Sequence, residues 1–267
     1  MTPHDLLSHI DNGRPWAPAG PSTSFTDPAA AYQAALAVRT LRLARGEVPR
    51  GFKIGFTNRT IWARYQVFAP IWGTVWDTTL AFANDQGEGT LSLDATCQPR
   101  LEPEVVFGLK ATPRAEATLD DLFDALDWVA PGFEVVQSHR PGWTFSAADT
   151  MADSGLHARL LVGRRVPVSQ VARDAAQLHA VLAGARVGLY RGDTLVEEGV
   201  GANVLDSPLH ALAHFLKELR ACPGAPDLQP GDVVTTGTWT DAWPVQAGER
   251  WTSTRGAPLS DLSVTFR

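Results

Sequence analysis

The chain has 267 residues, 44% hydrophobic and 19% charged, which is enough to bury a core and excludes an intrinsically disordered protein. Its formal net charge of −6, without a run of Lys or Arg, argues against a nucleic-acid partner. Two cysteines are too few for a disulfide framework, and no apolar stretch approaches the ~20 residues of a membrane span. Met1 is not followed by the basic-then-apolar order of a signal peptide, so we expect a cytoplasmic protein without a membrane partner.

Helices are predicted mainly in the earlier part of the chain. Asp27 and Pro28 supply an N-cap and a first helical residue, and the apolar period that follows continues to a stop at Gly46. Further helices are predicted over residues 6–10, 118–128, 171–182 and 208–220, and Pro131 with Gly132 breaks the second of these.

Strands dominate the later part. They are predicted over residues 51–57, 101–107, 133–136, 160–163, 232–237 and 262–266, around Val245, and as a hairpin over 186–198 that turns at Gly192. Residues 141–158 have no clear period and are predicted to be a loop. We predict a mixed α+β fold in which a helical or cap portion (1–80) and a β-rich portion (81–267) form one integrated domain.

Two glutamates stand two residues apart in the strand predicted over 101–107. Successive side chains of a strand alternate between faces, so Glu102 and Glu104 share a face at a backbone separation of ~6–7 Å. Carboxylates this close repel each other unless a proton or a cation compensates them, and a hard divalent metal ion would do so. The alternative is a solvated strand face in which Pro103 protects a sheet edge.

Two more charged residues interrupt apolar strands. Lys53 lies between Gly51 and Gly55, where it either extends to the surface or is desolvated, with a lowered pKa suited to proton transfer. Glu134 is either a solvated or hydrogen-bonded carboxylate or a third metal ligand. Five aromatic residues follow Lys53 in the chain, and such a cluster is compatible with a core, a pocket wall or a subunit interface: Trp62, Tyr65, Phe68, Trp72 and Trp76.

Six motifs occur in the order found in 2-keto-4-pentenoate hydratases. They are residues 51–57 (GFKIGFT), 101–107 (LEPEVVF), 131–136 (PGFEVV), 149–153 (DTMAD), 201–208 (GANVLDSP) and 228–232 (LQPGD). The chain therefore resembles this hydratase family and the related 4-oxalocrotonate decarboxylases, both of the fumarylacetoacetate hydrolase superfamily. The resemblance extends from the long helix to the C-terminus.

The resemblance implies a fumarylacetoacetate hydrolase-like fold, a mixed β-sandwich roll with peripheral helices. It also implies a divalent ion, Mg²⁺ or Mn²⁺, held by Glu102, Glu104 and Glu134, with Lys53 beside it as a catalytic acid or base. Asp77 matches a position where the family often has an acidic residue, and we predict a catalytic role for it.

The segment after Asp153 departs from the family pattern. Hydratases usually continue with Asn, Ala and serines that line the substrate pocket, whereas this chain has residues 154–157 (SGLH), and Gln137 and His139 replace a common Asp and Arg. We predict that His157 is catalytic, as an acid/base or a carboxylate partner, with a structural histidine as the alternative. Substrate contacts are predicted at Thr57, Ser154, Leu156 and Thr238.

The function that follows is a metal-dependent lyase of aromatic catabolism, a hydratase-like enzyme acting on 2-oxo or 2-hydroxy-dienoate acids. Decarboxylation of a 4-oxalocrotonate-type acid is the first alternative. Hydrolysis of a C–C bond in an acylpyruvate or β-diketone is the second, although no clear His/Glu pair for activating water is evident. A non-catalytic partner subunit is the third. We also expect a homo-oligomer that associates with a pathway enzyme.

Overall fold

In this computed structural model, which describes residues 1–20, 24–65 and 67–267, the strands form one sheet of nine strands and one of five. The larger sheet has the order β2 (Ile71–Trp76), β1 (Pro49–Gly55), β11 (Val233–Thr235), β5 (Arg100–Leu109), β6 (Leu126–Val136), β7 (His157–Val162) and β3 (Leu80–Phe82), with β12 (Trp243–Pro244) on β5 and β8 (Val166–Pro167) on β6. The smaller sheet has the order β10 (Thr194–Val200), β9 (Arg186–Arg191), β13 (Arg250–Arg255), β14 (Leu262–Phe266) and β4 (Glu88–Leu91).

Helices surround these sheets, and side-chain caps begin most of the longer ones. Asp27 accepts hydrogen bonds from the N–H groups of Ala29 and Ala30, as expected for the N-cap of the long helix. The helices are α1 (Pro3–Asn12), α2 (Pro28–Ala44), α3 (Trp62–Tyr65), α4 (Leu119–Ala125), α5 (Ala147–Ala152), α6 (Val168–Val171), α7 (Ala175–Gly184) and α8 (Pro208–Ala221).

Most elements predicted from the sequence are confirmed. The long helix is α2, the hairpin that turns at Gly192 is formed by β9 and β10, and the last helix is α8. Strands from both sides of residue 80 share the larger sheet, because β1 pairs with β11 in parallel and with β2 in antiparallel orientation.

The predicted break at Pro131 is wrong. Helix α4 ends at Ala125, and β6 continues through Pro131 and Gly132 to Val136. The carbonyl of Pro131 accepts a hydrogen bond from the N–H of Gly163, so the proline nitrogen also points to the β7 side. There β6 pairs with β8 up to Val129 and with β7 only from Gly132, so the missing N–H of Pro131 removes no ladder hydrogen bond.

The loop predicted over 141–158 contains a short helix. Ser146 and Asp149 form a reciprocal capping box at the start of α5, and five of the six residues of this helix are buried. The sequence shows no apolar period here because the polar residues Asp149 and Thr150 occupy buried positions of the helix. Both side chains have hydrogen-bond partners inside the protein.

The two faces of the larger sheet differ in chemistry. One face packs against the smaller sheet and against helices α4, α6, α7 and α8, burying residues such as Leu101, Phe107, Phe133, Val135 and Leu161. On the opposite face, Ile71 packs with helices α1, α2 and α5. A second, smaller apolar cluster also lies there: Val75, Val106, Ala130, Leu160, Val162 and Val233. Gly73 and Gly132 also lie here, where a Cβ would meet Ser154 O at 1.9 Å and Val106 Cγ2 at 2.5 Å. The charged side chains of β1, β5 and β6 lie on this second face, which we call the open face.

The aromatic residues of 57–77 divide between core and surface. Trp72 and Trp76 are buried, and Trp72 stacks on Tyr32 with ring centroids 4.7 Å apart, while Phe68 is 69% exposed. The side chain of Tyr65 lies outside the described residues. Among the residues described, no helix is both long enough and apolar enough to cross a membrane.

Candidate metal centre and adjoining pocket

Four charged side chains from three strands meet on the open face of the larger sheet. Glu102 of β5 stands directly opposite Glu134 of β6, and Glu104 follows two residues later on the same face. Lys53 of β1 is in register with Thr235 of β11, which lies between β1 and β5. The sheet register therefore brings together residues that are up to 81 positions apart in the chain.

The cluster is almost completely buried. Glu104 and Glu134 have no exposed surface, Lys53 is 2% exposed, and Glu102 is partly exposed. One carboxylate oxygen from each glutamate lies within 4.8 Å of the others, and Lys53 Nζ lies 3.1 Å from Glu134 Oε2. Three carboxylates and one ammonium leave an excess of negative charge that a divalent cation would neutralise.

Burial raises the pKa of all three carboxyl groups, because desolvation disfavours their ionised forms. The pKa of Glu104 is raised to about 8 by burial, with repulsion from Glu134 adding to the effect. Burial raises the pKa of Glu134 to about 7 against the opposing charge of Lys53. Burial raises the pKa of Glu102 well above its ordinary range. The carboxylates are thus held in a site that favours protons, or an added cation, over three free negative charges.

The hydrogen bonds of the cluster leave oxygen atoms directed into it. Glu104 Oε2 accepts bonds from the hydroxyl of Thr235 and, at 2.7 Å, from the N–H of Gly237, but Glu104 Oε1 is buried with no hydrogen-bond partner among the described residues. Glu134 Oε1 accepts a bond from His157 Nδ1 at 2.8 Å, so only Oε2 faces Lys53. An all-oxygen set of carboxylate ligands suits a hard cation such as Mg²⁺ or Mn²⁺. The residues present therefore fit such an ion.

The protein groups around Lys53 do not by themselves lower its pKa. Burial by itself would lower the pKa of Lys53, but the charges of Glu134, Glu102 and Glu104 outweigh it and raise that pKa above 10.5. Of the two alternatives predicted for Lys53, extension to the surface or desolvation, the structure shows the buried, desolvated side chain. The surrounding carboxylates favour its ammonium form.

A cavity of about 270 Å³ adjoins the cluster, and Lys53 and Glu102 form part of its wall. Three of the four predicted substrate contacts, Thr57, Leu156 and Thr238, line it. Ser154 does not line this cavity, because its backbone packs against Gly73 of β2. Ser154, Gly155 and Leu156 have φ values of 55°, 66° and 67°, so they form a tight left-handed turn over the open face of the sheet.

Asp77 does not join the cluster, and its catalytic role is not supported by its position. It is exposed beyond the end of β2, where its Oδ1 accepts hydrogen bonds of 3.0 Å from the N–H groups of Val48 and Thr78. The carboxylate therefore stabilises the turn after β2 instead of facing the pocket.

The aromatic wall of the cavity was not predicted. Phe56, Trp143 and Phe145 line it, with ring centroids 6.5 Å apart for Phe56 and Phe145 and 6.0 Å apart for Trp143 and Phe145. The guanidinium of Arg100 lies 4.2 Å from the Trp143 ring centroid. The only sequence signal for this wall was the density of aromatic residues in an irregular stretch, which does not reveal where their side chains point.

Comparison with known proteins gives consistent relatives, although no family model matches the chain. The chain is 31% identical over 267 residues to 2-keto-4-pentenoate hydratase 2 of Dechloromonas aromatica (strain RCB), covering 98% of this chain and 94% of that protein. It is 29% identical to the 4-oxalocrotonate decarboxylase of Pseudomonas sp. (strain CF600), covering 92% of this chain and 87% of the relative.

Solved structures share the fold. The 4-oxalocrotonate decarboxylase from Pseudomonas putida G7, in complex with magnesium and adipate, superposes with a TM-score of 0.87 at 24% sequence identity. The alignment covers 99% of this chain and 95% of that structure. The predicted mixed roll with peripheral helices is thereby confirmed.

Proposed function

The chain belongs to the 2-keto-4-pentenoate hydratase family of the fumarylacetoacetate hydrolase superfamily, and from this premise we propose that it is a metal-dependent hydro-lyase acting on 2-oxo or 2-hydroxy-dienoate acids. The observation that carries the proposal is the buried cluster of three glutamates and one lysine beside a cavity of about 270 Å³. Such a site combines a cation position, a proton donor and room for a short acid.

A divalent cation, Mg²⁺ or Mn²⁺, would be held by Glu102, Glu104 and Glu134. When bound, it would supply Lewis-acid polarisation of the 2-oxo acid head of the substrate. Glu104 is oriented for this role by Gly237 and Thr235, which occupy one of its oxygens and leave the other directed into the cluster. Solved structures support a divalent ion at such a site, since the decarboxylase of Pseudomonas putida G7 is found with magnesium in one structure and with calcium in another.

Lys53 would supply the proton. Lys53 would act as a general acid, donating a proton from its ammonium group to a carbon of the dienol. The neutral amine would then take up the proton that the 2-hydroxyl group of the substrate loses as it becomes the 2-oxo group, which restores the ammonium. Its position at 3.1 Å from Glu134 keeps the ammonium within the cluster and directs it toward the substrate head.

The aromatic wall would hold the unsaturated tail of the substrate. Phe56, Trp143 and Phe145 offer flat apolar surfaces that suit a planar conjugated chain and exclude bulk water from it. Arg100 and Asp241 add one charge of each sign to the cavity lining.

Decarboxylation is the second candidate, because it needs no residue to activate a water molecule. Both imidazole nitrogens of His157 are occupied, by Glu134 and Thr79, so His157 has no free nitrogen with which to activate a water molecule for hydration. Hydrolysis of a C–C bond is less well supported, because the other buried histidine–carboxylate pair of the described residues, His139 and Asp153, is not part of the cavity lining. A homo-oligomer and association with a pathway enzyme remain predictions, and light scattering of the purified protein tests the first of them.

Two measurements test the proposed function. The first incubates the protein with Mg²⁺ and a panel of 2-hydroxy-dienoates and 2-oxo-enedioates, and separates hydration, CO₂ release and two-fragment cleavage by product analysis. The second measures Mg²⁺ and Mn²⁺ affinity of Glu104→Gln beside wild type and beside Glu116→Gln, which changes an exposed glutamate. In the first measurement, we expect the wild-type protein to form the hydrated product. In the second, we expect only Glu104→Gln to bind Mg²⁺ and Mn²⁺ at least tenfold more weakly than wild type. Unchanged metal affinity in Glu104→Gln would refute the metal centre.

A further inference from the structure

His157 is buried at the start of β7, directly behind the glutamate cluster. Its Nδ1 lies 2.8 Å from Glu134 Oε1 and its Nε2 lies 2.9 Å from Thr79 Oγ1, so both ring nitrogens have partners inside the protein. The side chain is 2% exposed, and His157 is not part of the cavity lining that contains Lys53 and Glu102. It therefore contacts a cluster residue without facing the cavity.

The partners of His157 determine where its proton resides. A carboxylate only accepts hydrogen bonds, so Nδ1 carries the hydrogen and donates it to Glu134 when Glu134 is ionised. Nε2 is then an acceptor, and the hydroxyl of Thr79 shares its one hydrogen between Nε2 at 2.9 Å and the carbonyl oxygen of Trp76 at 3.2 Å. Thr79 is itself held in place, because its Oγ1 accepts a 3.0 Å bond from the N–H of Trp76. The chain of contacts is thus Thr79 to His157 to Glu134.

This chain of contacts divides the two oxygens of Glu134. Oε1 is engaged by the imidazole, Oε2 lies beside Lys53, and one oxygen of Glu134 lies within 4.8 Å of a carboxylate oxygen of each of the other two glutamates. A carboxylate held in this way offers one oxygen to a cation. Mg²⁺ requires near-octahedral geometry with short bonds and usually takes one oxygen from each carboxylate, whereas Ca²⁺ accepts bidentate carboxylates at longer distances.

We propose that His157 is a positioning residue of the metal centre, which holds Glu134 as a one-oxygen ligand and so favours a small divalent ion, Mg²⁺ or Mn²⁺, over Ca²⁺. This inference rests on the proposed function, because it requires Glu134 to be a metal ligand. It replaces the catalytic role predicted for His157 with an action through Glu134. Hydrogen-bonding partners behind metal ligands commonly change metal affinity by 10–100-fold when they are removed.

The test measures Mg²⁺ and Ca²⁺ affinities by calorimetry, with no substrate present, for wild type and three variants. His157→Gln removes the Nδ1–H donor, His157→Asn keeps a donor near the Nδ1 position, and Thr79→Val removes the hydroxyl that fixes the tautomer. His4→Asn changes an exposed histidine and is the control. We expect about 10–100-fold weaker Mg²⁺ binding in His157→Gln with a smaller loss for Ca²⁺, recovery to within about threefold in His157→Asn, and an intermediate loss in Thr79→Val.

The outcomes separate this inference from the proposed function. If wild type binds neither Mg²⁺ nor Mn²⁺, the metal centre itself is refuted. If wild type binds Mg²⁺ and His157→Gln keeps the same Mg²⁺ to Ca²⁺ affinity ratio, the role of His157 alone is refuted. Should the variants not fold, nitrogen-15 NMR of the wild-type imidazoles in the Mg²⁺-loaded protein decides. A protonated Nδ1 with a bare Nε2 supports the proposal, and the opposite tautomer overturns it.

Discussion

Lys53 Nζ and Glu134 Oε2 are 3.1 Å apart, and both side chains are buried in the interior of the protein. An ammonium and a carboxylate that leave water together must compensate each other, because either one alone would carry a large desolvation penalty. Here the pair lies near two further carboxylates, so the ammonium of Lys53 is a counter-charge for the cluster. Its positive charge also opposes any cation that the cluster binds.

Lys53→Met should therefore separate metal binding from turnover. Removal of the ammonium leaves the three carboxylates with more negative charge, so we expect Mg²⁺ affinity to be equal or higher than in wild type. The rate of turnover should fall at least ~10²-fold, because the proton donor is lost. Lys110→Met, at an exposed lysine, is the control and should keep both properties. Full turnover in Lys53→Met would contradict the assigned role.

The contribution of Glu104 and Glu134 to the stability of the metal-free protein should decrease as pH rises from about 5 to 8. The folded-state pKa values of Glu104 (about 8) and Glu134 (about 7) exceed their ordinary value of 4.5, so the folded protein holds more protons than the unfolded chain in this window. Raising the pH then removes protons from buried groups and lowers the free energy of unfolding.

Magnesium should reverse this loss, since it binds the ionised carboxylates. We expect the increase in Tm on adding saturating Mg²⁺ to grow between pH 6 and 8.5, as measured by differential scanning calorimetry. Groups that titrate with and without the ion, such as His139, cancel in this difference. Glu104→Gln should flatten the pH dependence, whereas an increment that is constant with pH in wild type would show that these glutamates do not titrate as described.

Arg140 and Asp149 form a second buried ion pair, away from the glutamate cluster. Arg140 Nη2 lies 2.7 Å from Asp149 Oδ1, and Nη1 donates a 2.9 Å bond to the carbonyl of Ala17. Arg140→Met should lower the free energy of unfolding by about 3–5 kcal/mol, because it leaves a buried carboxylate without its cation. Arg173→Met, at an arginine whose side chain is 86% exposed, should change it by less than about 0.5 kcal/mol. Denaturant titration measures both, and equal effects would contradict the prediction.

Gly73 lies under the left-handed turn of residues 154–156. A Cβ at this position would come within 1.9 Å of the carbonyl oxygen of Ser154, which is backbone and cannot rotate away. Gly73→Ala should therefore cost about 1–3 kcal/mol and displace Leu156 from the cavity, raising KM for the substrate. Gly184→Ala, where nothing lies within 4 Å of the new Cβ, should be neutral or slightly stabilising. A wild-type KM in Gly73→Ala would show that the turn does not shape the cavity.

The sequence by itself determined the local features of this protein. The two-residue spacing of Glu102 and Glu104 placed both carboxylates on one face of a strand, and the caps at Asp27 and Ser207 fixed where helices begin. These features depend on a few adjacent residues, so they can be read from the chain alone. The six motifs in family order identified the family, and the family in turn implied the fold.

Only the tertiary structure decided how the distant parts act on one another. The register of β5 and β6 set Glu134 opposite Glu102, and three surrounding glutamates reversed the pKa shift expected for a buried Lys53. His157 gained two partners from separate segments, while Asp77 was left outside at the surface. Each outcome depends on the charges and contacts of residues that are far apart in the chain, so it cannot be predicted from a local sequence pattern.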